Sequence, residues 1–310
     1  MYKGELISLG VAVSWTFSAL FFEFASKRMG SIVLNIYRLG MAILMSGITL
    51  FIFTGQFIPL DAGSGAWLWL GVSGFVGYVL GDYCLFSAYV SIGSRFGQLF
   101  MTLAPPFAAL AGLLILGEQM SAHALAGMFV TLFGIGLSIV GRQDEGSKKL
   151  GLKLPLKGIL FGIGAGFGQG VGIVFSKLGM EHYVATLPPA TDTEAFLIPF
   201  ASTQIRAIIG FIGFAFFLLM RRRRQKFAAS FRDGRAMQSA AMGTFFGPFI
   251  GVSFSLMAVQ YTEAGIASTL MALTPILILV PSYFYYRQSV TLKEVVGAVI
   301  SVVGVSLFFL

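Results

Sequence analysis

The sequence predicts an all-α integral membrane protein of ten transmembrane helices, built as two inverted five-helix repeats. Three observations predict it: a composition that water solvates poorly, apolar runs of spanning length, and an internal repeat. Of 310 residues, 56% are hydrophobic and 11% charged, and the mean hydropathy is +0.85. A soluble chain of this make-up would be covered in exposed apolar surface. Runs of roughly 20 apolar residues cross a hydrocarbon core of roughly 30 Å, and lipid forces their backbone amides to pair internally, which makes them helices. The repeat shows when Gly77, Gly81, Ala88, Met101, Leu103, Pro105, Gly127, Gly134 and Leu137 are laid on Gly247, Gly251, Ala258, Met271, Leu273, Pro275, Gly297, Gly304 and Leu307. The two starts match as well, with Lys3, Gly4, Leu6, Gly10 and Phe21 on Lys157, Gly158, Leu160, Gly164 and Phe175. Two homologous halves in a membrane-type sequence are typical of transporters.

The first repeat, 1–141, holds spans 5–26, 31–53, 66–89, 95–116 and 122–141. The first span reads as a mature helix and not a signal peptide, because its charged start is only Lys3 with Glu5 nearby and the sixth span repeats it. The second span carries Arg38 and the third Asp82. The fourth is interrupted by Pro105 and Pro106, which remove a helical hydrogen bond and kink the chain. A basic linker, 142–155, leads to the second repeat, 156–310, with spans 156–180, 197–220, 236–260, 264–286 and 292–310. The sixth span has glycine at 162, 164, 166, 168, 170 and 172. On a helix these form two stripes, Gly162/Gly166/Gly170 and Gly164/Gly168/Gly172, so two faces admit close neighbours. Dense packing is one role for them; a hinge or cavity wall is the other. The spacing is not a dinucleotide fingerprint, which needs GxGxxG after a strand. Before the seventh span an insertion runs around Pro188 to Pro199, and the ninth span repeats the proline break at Pro275.

Orientation follows from the 21 Lys and Arg residues. Only Lys3 falls on the even-numbered face, and Arg38, Lys177 and Arg206 lie within spans. All the others, including Lys27, Arg28, Arg95, Lys148, Lys149, Arg221 to Arg224, Arg287 and Lys293, belong to odd-numbered loops or their flanks. The positive-inside rule makes the odd loops cytoplasmic and puts both termini outside. An odd number of spans per repeat makes the second half enter from the opposite side, so the repeats are inverted. The net charge of +8 and the Arg221 to Arg224 cluster are read as this topology signal and not as a nucleic-acid patch. A lone cysteine, Cys84, offers neither an internal disulfide nor a cysteine metal cluster.

Trp15, Arg38, Gly81-Asp82 through Ala88 to Ile92-Gly93, Leu103-Ala104-Pro105-Pro106, Leu116-Gly117-Glu118, Gly127 and Gly134 make the first half resemble an EamA domain. Arg206, Ala258, Thr274-Pro275, Gly297 and Gly304 repeat the pattern. The chain thus resembles a two-EamA member of the drug/metabolite transporter superfamily. It departs where Arg287-Gln288 stands in place of Gly117-Glu118, and in its termini, which family members usually keep in the cytoplasm. The resemblance implies helices around a central cavity that opens alternately to each side. It also implies export of small organic solutes, often amino acids or other metabolites, from the cell (inner) membrane. The implied partners are a small-molecule substrate and the lipid bilayer, without cofactor; a homo-oligomer is compatible with the sequence.

Ionisable groups inside a membrane are expensive and mark functional sites by default. Arg38 and Asp82 both lie roughly 10 Å from the cytoplasmic face at 1.5 Å per residue. Two roles are open for this pair: binding substrate or a proton, or a salt bridge that fixes packing. Arg206 is the counterpart of Arg38, but Val252 stands where Asp82 would, so Arg206 needs another partner. It reads either as a contact for an anionic substrate group or as a packing residue. Gln169, opposite Trp15 in the repeat, is a candidate substrate contact, and Gln98 falls near a cytoplasmic mouth. Glu23 sits four residues before Lys27, a spacing for a local ion pair or a snorkelling end. With Ser14, Trp15 and Thr16 in the middle of the first helix, where a cation exchanger would favour an acid, cationic drug exchange is disfavoured. No P-loop, GxSxG or HExxH occurs, and the chain is read as a non-enzymatic secondary transporter. The alternative is a non-transporting membrane scaffold or sensor.

Overall fold

The structure is a computed structural model that describes residues 2–117, 121–142, 150–152, 154–186, 192–220, 224–261, 270–286 and 290–307. Glu118, Arg221 to Arg223, Arg287-Gln288, and Lys148, Lys149 and Lys153 of the linker lie outside the described residues. Among the described residues five stretches are long and apolar enough to span: Lys3–Met29, Ser31–Thr54, Ser64–Met101, Leu156–Thr186 and Leu197–Met220. Shorter apolar helices cover Ala104–Ile115 and Leu125–Ile139.

Helix α1 (Lys3–Met29) turns directly into α2 (Ser31–Thr54) at Gly30, whose φ of 83° only glycine adopts freely. Helix α3 (Ser64–Ser73) passes through a π segment, Gly74–Asp82, into α4 (Tyr83–Met101). A second such turn, Gly93 with φ 81°, splits α4, so the third and fourth spans meet there. Helix α5 (Ala104–Ala111) continues through a π turn, Gly112–Leu116, to α6 (Ala122–Ile139). In the second half come α7 (Leu156–Thr186), α8 (Asp192–Met220), the short α9 (Arg224–Ser230) and α10 (Gly234–Thr244). Another π segment, Phe245–Val252, leads to α11 (Ser253–Tyr261), then α12 (Thr274–Leu277), α13 (Leu279–Tyr286) and α14 (Leu292–Leu307).

Three features correct the sequence reading. The third and eighth spans are not continuous α-helices; each widens into a π segment at matching places. The first is rich in glycine, and the second contains Pro248, which lacks the N–H that an α-helical bond needs. Next, the fifth helix stops at Ile139, short of the expected 141, where a three-residue antiparallel ladder, β1 (Val140–Arg142) with β2 (Leu150–Leu152), begins in an otherwise helical chain. Last, the proline breaks fall one turn early: α5 and α12 restart at Ala104 and Thr274 with proline in their first turn, where no helical donor is needed.

The molecule is apolar outside, and its largely apolar interior also takes in many hydroxyl side chains. Leu44, Ile48 and Phe51 of α2, Phe129 and Phe133 of α6, and Ile212 and Phe216 of α8 are exposed, whereas Ser8, Thr16, Ser46, Ser73 and Thr244 are buried. Several buried hydroxyls bond to the carbonyl four residues back, as in Ser8 to Gly4 (2.8 Å), Ser46 to Ala42 (2.7 Å) and Thr244 to Ala240 (2.7 Å). That leaves few unpaired groups to lipid.

Equivalent residues of the two halves face each other. Thr131 Oγ1 donates to the Ser301 carbonyl and Ser301 Oγ to the Thr131 carbonyl, both at 3.4 Å. Gly134 abuts Gly297, and Gly304 abuts Gly127. Since 134 meets 297 while 127 meets 304, α6 and α14 run antiparallel.

The side chains sort the loops onto two faces. Arg28 bonds to Asp233 at 2.6 Å, Lys27 lies over Tyr286 at 5.2 Å, and Arg95 Nη1 pairs with Glu294 Oε2 at 3.3 Å. These join the first, third, seventh and ninth loops. At the other end Tyr183 bonds to Asp61 at 3.2 Å, and Gly65 and Gly63 abut His182 and Thr186.

Candidate functional site

Three of the buried charges, Arg38, Asp82 and Arg206, gather where α2, the Gly74–Asp82 π segment, α7 and α8 meet. Their backbones approach because glycine lines the contacts. A Cβ on Gly81 would come within 3.2 Å of the Gly168 backbone, and one on Gly74 within 2.5 Å of the Arg206 carbonyl. The alternating glycines of α7 use both stripes. Gly164, Gly168 and Gly172 face Cys84, Gly81 and Gly77, while Gly162, Gly166 and Gly170 face Phe100, Leu103 and Ala104.

On that close seam Arg38 donates from Nη2 to Asp82 Oδ2, and both side chains are buried. Gln169 Nε2 donates to Asp82 Oδ1 at 2.8 Å and lies 3.5 Å from the Gly77 carbonyl. Both carboxylate oxygens are therefore engaged. Arg206, only 6% exposed, brings its charge to bear on the same Asp82. Its guanidinium sits 4.7 Å from the centre of the Tyr78 ring, and Arg38 sits 5.1 Å from that ring. Rings of Phe86 and Phe22 complete the packing around Arg38, at 5.2 and 5.9 Å. Aromatic faces attract guanidinium, more strongly once water is removed.

Four of the five residues singled out in the sequence thus converge: Arg38, Asp82, Gln169 and Arg206. Gln98 does not join them. It donates to the Tyr89 hydroxyl at 2.6 Å across the Gly93 turn, and reaches the cluster only through Tyr89 packed on Phe86. The acid that feels the Arg206 charge, Asp82, comes from the other half of the chain and is already ion-paired with Arg38. Sequence reasoning missed Tyr78, whose one signal is its place a turn before Asp82 among Gly77 and Gly81.

Glu23 does not snorkel; at 1% exposure its carboxylate is held by Lys27 and by the Ser94 N–H at 2.7 Å, just after Gly93. Among the described residues no group of three His, Cys, Asp or Glu is placed to hold a metal ion.

Residues 2–140 and 156–310 both match the model of the EamA-like transporter family. No curated protein matches the chain. A crystal structure described only as that of a protein aligns over 99% of this chain and 96% of its own, with a TM-score of 0.57 and 15% identity. That likeness concerns the fold. With an apolar exterior, long apolar helices and both halves matched, the chain belongs to the EamA-like transporter family as a multi-pass membrane transporter.

Proposed function

We propose that the chain is a secondary transporter that exports a small organic metabolite, amino-acid-like or a related solute, across the cell membrane by alternating access. One observation carries the reading: the buried charge cluster takes Arg38 and Asp82 from one family-matched segment and Gln169 and Arg206 from the other. A site built across two halves is remade whenever the halves rock against each other, which is what alternating access requires.

The scaffold in this proposal is ten spans in two inverted repeats, 1–141 and 156–310, joined by the linker 142–155. The antiparallel, reciprocal contact of α6 with α14 supports the inversion, because parallel repeats would bring equivalent helices together in the same direction. The odd loops are the cytoplasmic ones, by their lysine and arginine content.

The test compares solutes retained and released by cells lacking or overproducing the protein. A changed solute is then followed in Arg206→Ala and Asp82→Asn variants checked for insertion and folding. Both lose flux if the cluster is the site; wild-type flux in both well-expressed variants overturns it.

A further inference from the structure

Counting buried charge leaves one cation over. Among the described residues the buried acids are Glu23, Asp82 and Glu294, and the buried bases are Arg38, Arg95 and Arg206. Glu23 is taken by Lys27, Glu294 by Arg95, and Asp82 by Arg38. Among the described residues no carboxylate forms an ion pair with Arg206, and its Nε has no hydrogen-bond partner. The Tyr78 hydroxyl, on the ring beneath it, is a second buried polar group without a partner. An unpaired buried charge is destabilising, so a chain that keeps one has a use for it.

Resting on the transporter reading above, we infer that the solute is an organic monoanion whose carboxylate is held by Arg206 beside the Tyr78 hydroxyl. Charge and shape both select a carboxylate. The cluster of two arginines and one aspartate carries one positive charge, which a single carboxylate neutralises; a dianion would leave a negative excess and a cation would add to the positive one. A planar carboxylate also fits the two-pronged face of guanidinium. An ammonium group would have to share Asp82, which already accepts from Arg38 on one oxygen and Gln169 on the other, and would add a second positive charge beside Arg206. This narrows the solute from amino-acid-like compounds to acids without a charged amine.

The experiment uses the purified full chain, its thermal midpoint Tm and counterflow in proteoliposomes. The probes are propionate and phenylacetate, their amides, alanine and phenylalanine, and the dianion succinate with inorganic phosphate. The two monocarboxylates should raise Tm, with at least tenfold weaker effect from every other probe. Arg206→Gln should abolish that rise, Arg206→Lys should keep part of it, and Arg206→Gln should raise the Tm of the unliganded protein by removing the unpaired charge. No Tm rise with either monocarboxylate, an equal rise with an amide, amino acid or dianion, or a rise that survives Arg206→Gln overturns the inference. Monocarboxylate binding without counterflow supports the inference and sinks the transporter reading. Counterflow of amides or amino acids alone does the reverse.

Discussion

Removing Asp82 and removing Arg206 from the same cluster should have opposite effects on the folded protein. Asp82→Asn strands Arg38 in the interior, and breaking a buried pair costs about 3–5 kcal/mol. The double variant Arg38→Met/Asp82→Leu replaces the pair by apolar groups and should recover most of that loss in Tm while transport stays absent. If flux returned along with stability, the pair would be a packing device alone. Asp233 offers a residue-scale test away from the membrane. Its carboxylate accepts from Arg28 at 2.6 Å and, as the N-cap of α10, from the Ala236 N–H at 3.1 Å. The Arg28 bond first, and the cap second, hold Asp233 below its usual value of 3.8. A depressed acid stabilises the fold above its unfolded value and loses that effect as pH falls through the folded one. Asp233→Asn should therefore lower Tm at neutral pH and converge with wild type as pH drops below 3.8; a constant gap across that range would refute the assignment.

Among the elements, the contact between α7 and the Gly74–Asp82 π segment is the most demanding. A Cβ at Gly168 would collide with the Gly81 backbone and lie 2.9 Å from the Val76 carbonyl, and backbone cannot swing aside as a side-chain tip can. Gly168→Leu should separate the helices, withdraw Gln169 from Asp82 and destabilise by about 1–3 kcal/mol or more. Gly136→Ala in α6 is the control, since nothing lies within 4 Å of its Cβ and alanine favours helix. Tm and flux measured together on both should separate a close-contact glycine from an incidental one. The two stripes were legible in the sequence, because the spacing of glycine on a helix fixes which faces are bare. Their neighbours were not legible. Nor were the π segments, since Gly74, Gly77 and Gly81 in a row suit an α-helix of close packing as well as a widened one.

At the scale of the whole molecule, Arg28 with Asp233 and Arg95 with Glu294 tie odd-numbered loops together on one face. The cytoplasmic assignment of that face rests on the concentration of Lys and Arg there. A reporter active only outside the cytoplasm, fused to Leu310, should be active; silence with full-length expression would reverse the orientation. Much of this architecture was readable from the chain: the apolar runs, the two matched halves, and the like depth of Arg38 and Asp82. The membrane class, the repeat and the interior place of Arg38, Asp82 and Arg206 were set by sequence alone, because hydropathy, spacing and charge belong to each residue wherever it lies; the burial of Glu23, Arg95 and Glu294 was not legible there. Which charge is left over was decided only by the tertiary structure. Pairing depends on distance, and the placing of Gln169 on Asp82 and of Arg206 over Tyr78 exists only once the second half of the chain has folded against the first.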